Sequence, residues 1–159
     1  MLIKGILDED LINYKIPSMS ISTSTCSFKC DKEAGCSCCQ NSELAKLSDI
    51  DVSVSWMIER YLNNPITHAI VFAGLEPFDQ FYDIHFFIWM LRKHYKCDDD
   101  VVIYTGYNKD EIAAEIGELK KYPNIVIKFG RFKPNSNTIF DQELQVVLAS
   151  DNQYAERIS

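Results

Sequence analysis

Short apolar runs alternate with longer segments of helical periodicity along this chain, and this alternation is the strongest constraint on its fold. Four runs are interpreted as strands, at residues 18–25, 68–73, 100–105 and 125–129. Apolar spacing typical of helices covers the segments 52–62, 79–95 and 109–121. Strands that alternate with helices favour a mostly parallel sheet with helical crossovers. The sequence therefore predicts an α/β fold.

The remaining segments carry weaker signals. Residues 26–42 are polar and contain Gly35, so they are predicted to form a loop. Residues 144–148 are predicted to form a short strand before a polar tail, and Ile3 to Ile12 have mixed patterning. We expect an aspartate, Asp49 or Asp51, to cap the first long helix.

Three chemically informative segments each follow a predicted strand. They are the cysteine-rich loop, Gly74–Pro77 and Thr105–Tyr107. In parallel sheets, ligands bind beyond the carboxyl ends of the strands. We therefore expect these segments to converge at one edge of the sheet.

Composition and charge exclude several classes of function. The net charge is −7 and no basic run is present, so a nucleic-acid partner is not expected. No apolar run reaches the roughly 18 residues of a membrane helix. The N-terminus turns acidic after Leu7, unlike a signal peptide. We expect one cytoplasmic domain over residues 1–159, with no membrane partner.

Five of the six cysteines lie close together in the sequence. They are Cys26, Cys30, Cys36, Cys38 and Cys39. In a reducing compartment such a cluster indicates a metal site rather than disulfides. Thiolates favour iron–sulfur clusters and zinc, and zinc sites usually take two separated pairs of ligands. The single cluster of cysteines favours iron–sulfur ligation, with a structural zinc loop as the alternative.

The cysteine spacing resembles that of radical S-adenosylmethionine (SAM) proteins. Cys26-Ser-Phe-Lys-Cys30 and Cys39-Gln-Asn41 resemble the family pattern of two cysteines three residues apart and a third before x-Asn. The family places two residues between the second and third cysteines, whereas this chain has eight. We interpret the cluster loop, residues 26–41, as carrying an insertion within Asp31–Cys38. The predicted metal ligands are Cys26, Cys30 and Cys39, with Cys38 and Cys36 as alternatives for the third.

Four further segments resemble, in order, the activating proteins of anaerobic ribonucleotide reductases. These are Ala73–Pro77, similar to Gly-Gly-Glu-Pro; Tyr104–Tyr107, similar to Trp-Thr-Gly-Tyr; Phe129–Phe132, similar to Asp-Gly-Lys-Phe; and Ser150–Gln153, similar to Gly-Ser-x-Asn-Gln. Two departures stand out: Leu75 replaces a glycine and Phe129 replaces an aspartate.

The resemblance implies an abbreviated, open (β/α) partial barrel that binds a 4Fe-4S cluster and SAM. It further implies reductive cleavage of SAM to methionine and a 5′-deoxyadenosyl radical, which abstracts hydrogen from a glycine Cα of the partner. The implied partners are the large subunit of an anaerobic ribonucleotide reductase and an electron donor such as flavodoxin or ferredoxin. No catalytic residue is implied beyond the cluster and SAM.

The resemblance also implies the residues that contact SAM. These are Asn41, Gly74, Leu75, Glu76, Pro77, Thr105, Gly106, Tyr107, Asn152 and Gln153. The alternatives are a radical SAM enzyme with a different substrate and a non-catalytic metal-binding interaction module.

Overall fold

A computed structural model describes residues 1–159 and contains nine strands and five α-helices. The strands are β1 Leu2–Asp10, β2 Ser18–Thr23, β3 Ile50–Asp51, β4 Ala69–Gly74, β5 Asp100–Tyr104, β6 Ile125–Phe129, β7 Ile139–Asp141, β8 Val146–Leu148 and β9 Tyr154–Arg157. The α-helices are α1 Lys29–Ala34, α2 Ser42–Ala45, α3 Val54–Leu62, α4 Phe81–Trp89 and α5 Ala113–Leu119. Short 3-10 turns at Pro77–Gln80 and Lys109–Ile112 precede α4 and α5, and a π-helical turn, Met90–His94, extends α4.

Seven strands form one sheet in the order β3-β1-β2-β4-β5-β6-β9. The central strands β2, β4, β5 and β6 are parallel, and the strands outside them pair antiparallel. The remaining strands, β7 and β8, form a separate hairpin. The predicted α/β fold is confirmed, and the sheet is open rather than closed into a barrel.

The core lies on both faces of this sheet. On one face, α3, α4 and α5 pack against the central strands in a cluster of 22 buried apolar residues. A smaller cluster of seven lies on the other face, under the β1–β2 connection and the β7–β8 hairpin. Because successive strand residues point to opposite faces, the central strands are apolar on both sides. None of the helices combines the length and the apolar character needed to cross a membrane.

Two predictions for the N-terminal half of the chain are wrong, one of a helix cap and one of a loop. Ser53, rather than Asp49 or Asp51, caps α3, and its hydroxyl accepts a hydrogen bond from the Trp56 amide at 3.0 Å. Asp51 instead lies in β3, which pairs with β1. The predicted loop 26–42 contains helix α1, which ends where Gly35 adopts a left-handed conformation with φ 66°.

Strands β1 and β9 were not predicted from their patterning. The first is a nine-residue strand in which exposed and buried residues do not alternate cleanly, and its pairing with β2 contains register shifts. The second lies in the predicted polar tail and pairs only with β6. Both strands flank the parallel centre, so hydrogen bonds to one or two neighbours stabilise them more than burial of their own side chains.

Adjacent phenylalanines on α4 provide a matched test of the core. Phe87 is fully buried and meets the ring of Phe72 edge-on, with centroids 5.0 Å apart. Phe86 is 49% exposed. Phe87→Ala should lower the free energy of unfolding by about 3–5 kcal/mol, because it leaves a cavity. Phe86→Ala should cost about 1 kcal/mol or less. Urea denaturation measures both values, and equal losses would contradict the packing described here.

Candidate metal centre

A cavity of about 510 Å³ opens at the carboxyl ends of the parallel strands. Its walls include residues that follow β2, β4, β5 and β6. Those relevant to the chemistry are Cys26, Cys30, Cys39, Asn41, Gly74, Leu75, Glu76, Thr105, Gly106, Lys128 and Gln153. The predicted convergence of the three strand-end segments is therefore confirmed.

Three of the five clustered cysteines share this cavity. Cys26, Cys30 and Cys39 line it, and each is partly buried. Cys36 is exposed, and neither it nor Cys38 lines the cavity. No histidine and no fourth cysteine lines the cavity. The fold therefore separates three inward-facing thiols from the two inserted ones.

Local backbone structure presents these three thiols. Cys26 lies three residues after the end of β2, and its sulfur accepts a hydrogen bond from the Phe28 amide at 3.2 Å. Cys30 lies in the first turn of α1. The sulfur of Cys39 accepts a hydrogen bond from the Asn41 amide at 3.4 Å. Amide donors of this kind stabilise the thiolate form, which is the form that binds metals.

The insertion between Cys30 and Cys39 folds back on Asp31. One carboxylate oxygen of Asp31 accepts hydrogen bonds from the amides of Cys38 and Cys39, at 2.9 and 2.8 Å. The carbonyl of Asp31 also accepts a hydrogen bond from the Cys36 amide at 3.3 Å. These contacts close the added residues into a compact loop and return Cys39 to the cavity.

Glu76 links the ends of the central strands. Its carboxylate accepts hydrogen bonds from the Thr105 hydroxyl at 2.7 Å, the Gly106 amide at 2.8 Å and the Phe78 amide at 3.1 Å. Its own amide donates to the carbonyl of Thr25 at 2.8 Å. Burial raises the pKa of Glu76 to about 7, although the three hydrogen bonds oppose that shift.

The turn after β4 depends on a glycine. Gly74 has φ 101°, and a Cβ there would lie 2.9 Å from the Cβ of Ser22 in the neighbouring strand. Its carbonyl accepts a hydrogen bond from the side-chain amide of Asn41. Asn41 thus ties the cysteine loop to β4. Pro77 is buried in the following turn and does not line the cavity.

The other residues expected to contact SAM bind mainly to the protein itself. The hydroxyl of Tyr107 donates to Asp79 at 2.6 Å, outside the large cavity. The side chain of Gln153 donates to the carbonyl of Gly130 and accepts from the amide of Ser150, both at 3.1 Å. Asn152 does not line the cavity, and its amide donates to the carbonyl of Arg131 at 3.0 Å.

Comparison with known proteins identifies the family of this chain. Residues 18–155 match the family model described as a 4Fe-4S single cluster domain. The chain belongs to this family. The matched region begins with β2, includes all five clustered cysteines and ends in β9. No curated protein and no solved structure matches the chain. The prediction of an iron–sulfur protein is confirmed.

The donor set fits a 4Fe-4S cluster better than a single metal ion. No three His, Cys, Asp or Glu side chains are arranged closely enough to hold one ion. A structural zinc site brings four ligands to within about 2.0–2.3 Å of one point. Three cysteines lining one cavity of about 510 Å³ suit a larger inorganic group. Burial raises the pKa of Cys26 to about 11 and also raises that of Cys30, so cluster binding must release their protons.

Lys128 is a cavity residue that sequence reasoning missed. It was predicted only as part of a buried strand, and it is 7% exposed with its side chain lining the cavity. Burial lowers its pKa to about 8. The available signal was a single lysine within an otherwise apolar strand, since lysine is rarely buried without a function or a partner.

Phe129, which stands where the resembling proteins have an aspartate, does not enter the cavity. It is fully buried in the core, and its ring lies 5.3 Å from that of Tyr154, centroid to centroid. Leu75, the other departure, does line the cavity. The first substitution therefore adds apolar packing between β6 and β9, while the second changes the cavity wall.

The raised pKa of Glu76 predicts a measurable pH dependence of stability. Its pKa is about 7 in the folded protein and 4.5 ordinarily, so the folded state binds more protons between these values. The free energy of unfolding should therefore fall by about 2 kcal/mol as the pH rises from about 5 to 8. Glu76→Gln should remove this loss, as measured by urea denaturation of the cluster-free protein at both pH values.

Glu9→Gln is the matched control for this measurement, because Glu9 is exposed. It should keep the pH dependence of the unmodified protein. An unchanged pH dependence in Glu76→Gln would contradict the burial of a titrating carboxyl at this site.

Proposed function

We propose that this chain is a radical SAM activase, which generates a glycyl radical on a partner enzyme. The observation that carries the proposal is that the cavity of a single-cluster 4Fe-4S protein is lined by three cysteines and no other cysteine or histidine. A cluster held by three thiolates keeps one iron without a protein ligand. That iron has room beside it in a cavity of about 510 Å³.

In this proposal, Cys26, Cys30 and Cys39 hold the cluster. All three line the cavity, and backbone amides donate to the sulfurs of Cys26 and Cys39. Cys36 and Cys38 belong to the loop that Asp31 closes, and neither lines the cavity. Their position supports Cys39 as the third ligand.

The bound cluster would supply one electron, which cleaves SAM to methionine and a 5′-deoxyadenosyl radical that takes hydrogen from a glycine Cα. The protein's own residues would bind and orient the substrate. Glu76 presents a buried carboxylate to the cavity, which suits the ammonium of the methionine end because charge-assisted hydrogen bonds are strong. Gly74 and Leu75 line the cavity directly before it.

The rim of the cavity supports a polypeptide substrate. Leu7, Ile12 and Val147 line the cavity and are 55%, 76% and 64% exposed. Exposed apolar side chains grouped around one opening are typical of protein-binding surfaces. We propose the glycine-radical region of an anaerobic ribonucleotide reductase large subunit as the substrate, with flavodoxin or ferredoxin as electron donor.

Single substitutions test the ligand assignment. Cys39→Ala should lose most of the cluster iron after anaerobic reconstitution, since it removes one of three ligands. Cys36→Ala and Cys38→Ala are matched controls from the same loop and should keep the iron content of the unmodified protein. Iron and sulfide analysis with visible absorption measures the result. Loss of iron in Cys36→Ala or Cys38→Ala with retention in Cys39→Ala would overturn the assignment.

A turnover assay tests the proposed reaction. The reconstituted protein, reduced with dithionite and given SAM, should form 5′-deoxyadenosine and methionine in equal amounts. Cys39→Ala should form neither product, because it lacks the cluster. Addition of the reductase subunit should produce the electron paramagnetic resonance signal of a glycyl radical. An intact cluster that cleaves no SAM would rule out the enzymatic function.

A further inference from the structure

Lys128 is a buried cation at the end of β6. Val126, two residues earlier on the same face of the strand, packs in the smaller core cluster. The side chain of Lys128 follows it into the cavity and is 7% exposed. Fully buried lysines are rare in proteins unless an anion accompanies them.

The protein provides no direct ion-pair partner for Lys128. Its ammonium donates one hydrogen bond, to the carbonyl of Gly130 at 3.1 Å. No carboxylate oxygen lies within the ion-pair distance of 4.0 Å. An ammonium out of water and without a counter-ion is strongly unfavourable.

The cavity is lined by two carboxylates, those of Asp10 and Glu76, and by the thiol of Cys30. Glu76 and Cys30 favour the charged form of Lys128 electrostatically, although burial outweighs them. Neither carboxylate lies within 4.0 Å of the Lys128 ammonium, and that of Asp10 already accepts hydrogen bonds from the amides of Ile12 and Asn13. The thiolate of Cys30 and the cluster that it would bind are therefore the negative charge left for this lysine to compensate.

We propose that Lys128 is the counter-cation of the cluster and raises its reduction potential. Adding one electron to the cluster makes it more negative by one charge. A fixed positive charge on a largely buried side chain stabilises that reduced form more than the oxidised form. Lys128 thus acts on the cluster through its charge and is not itself a catalytic residue. The electron that reduces the cluster comes from a separate one-electron reductant.

This inference rests on the proposed cluster ligation by Cys30 and not on cleavage of SAM. The test is a reductive titration of the reconstituted protein with dithionite, followed by electron paramagnetic resonance of the reduced cluster. Lys128→Met and Lys128→Gln should each decrease the equilibrium constant for reduction at least tenfold, about 59 mV toward negative potential for a one-electron couple. Lys128→Arg keeps the charge and should stay within about twofold of the unmodified protein.

Lys29→Met is the matched surface control. Lys29 precedes Cys30 in the chain, and its side chain is 42% exposed, so solvent screens its charge. The potential of this variant should stay within about twofold of the unmodified protein. Comparing the reduction potentials of Lys29→Met and Lys128→Met distinguishes the effect of the buried charge from the effect of losing any positive charge.

Each outcome for the Lys128 variants either supports or overturns the proposal. An unchanged potential in either neutral variant with full iron content would overturn the proposal. Loss of the cluster from both neutral variants with retention in Lys128→Arg would support it, whereas loss from Lys128→Arg as well would overturn it. Because the titration contains no SAM, a failure of the proposed enzymatic function would leave this result unaffected.

Discussion

The buried carboxylate of Glu76 is the interaction on which the site depends. It receives hydrogen bonds from Thr105, Gly106 and Phe78, while its amide reaches the carbonyl of Thr25. These contacts join the segments that follow β2, β4 and β5. A carboxylate removed from water is costly unless donors surround it, and here three donors do so. Glu76 therefore both connects the walls of the cavity and presents a carboxyl group to it.

The cavity brings together buried acidic and basic side chains. Burial raises the pKa values of Glu76 and Cys26 and lowers that of Lys128, so it disfavours the charged form of each. A bound cluster changes this balance, because coordinated cysteines are thiolates whatever their pKa without metal. The perturbed groups thus support the proposal that the 4Fe-4S cluster of the family binds in this cavity.

The insertion shows how the chain keeps its ligand geometry despite unusual spacing. Eight residues separate Cys30 from Cys39. Part of them forms α1, and Asp31 then accepts the amides of Cys38 and Cys39. The added residues therefore fold outward as a closed loop. Cys39 and the following Asn41 remain against β4, where the side chain of Asn41 binds the carbonyl of Gly74.

The sequence by itself determined the alternating α/β order, the iron–sulfur character of the chain and the meeting of the cysteine loop with Glu76 and Thr105. These follow from local periodicity and from the rule that the carboxyl ends of parallel strands share one edge. Only the tertiary structure revealed β1 and β9, because their stability comes from pairing with distant strands. It also separated Cys39 from the exposed Cys36 and turned Lys128 into a buried cation. Exposure and charge environment arise from contacts between segments far apart in the chain, which local patterns do not encode.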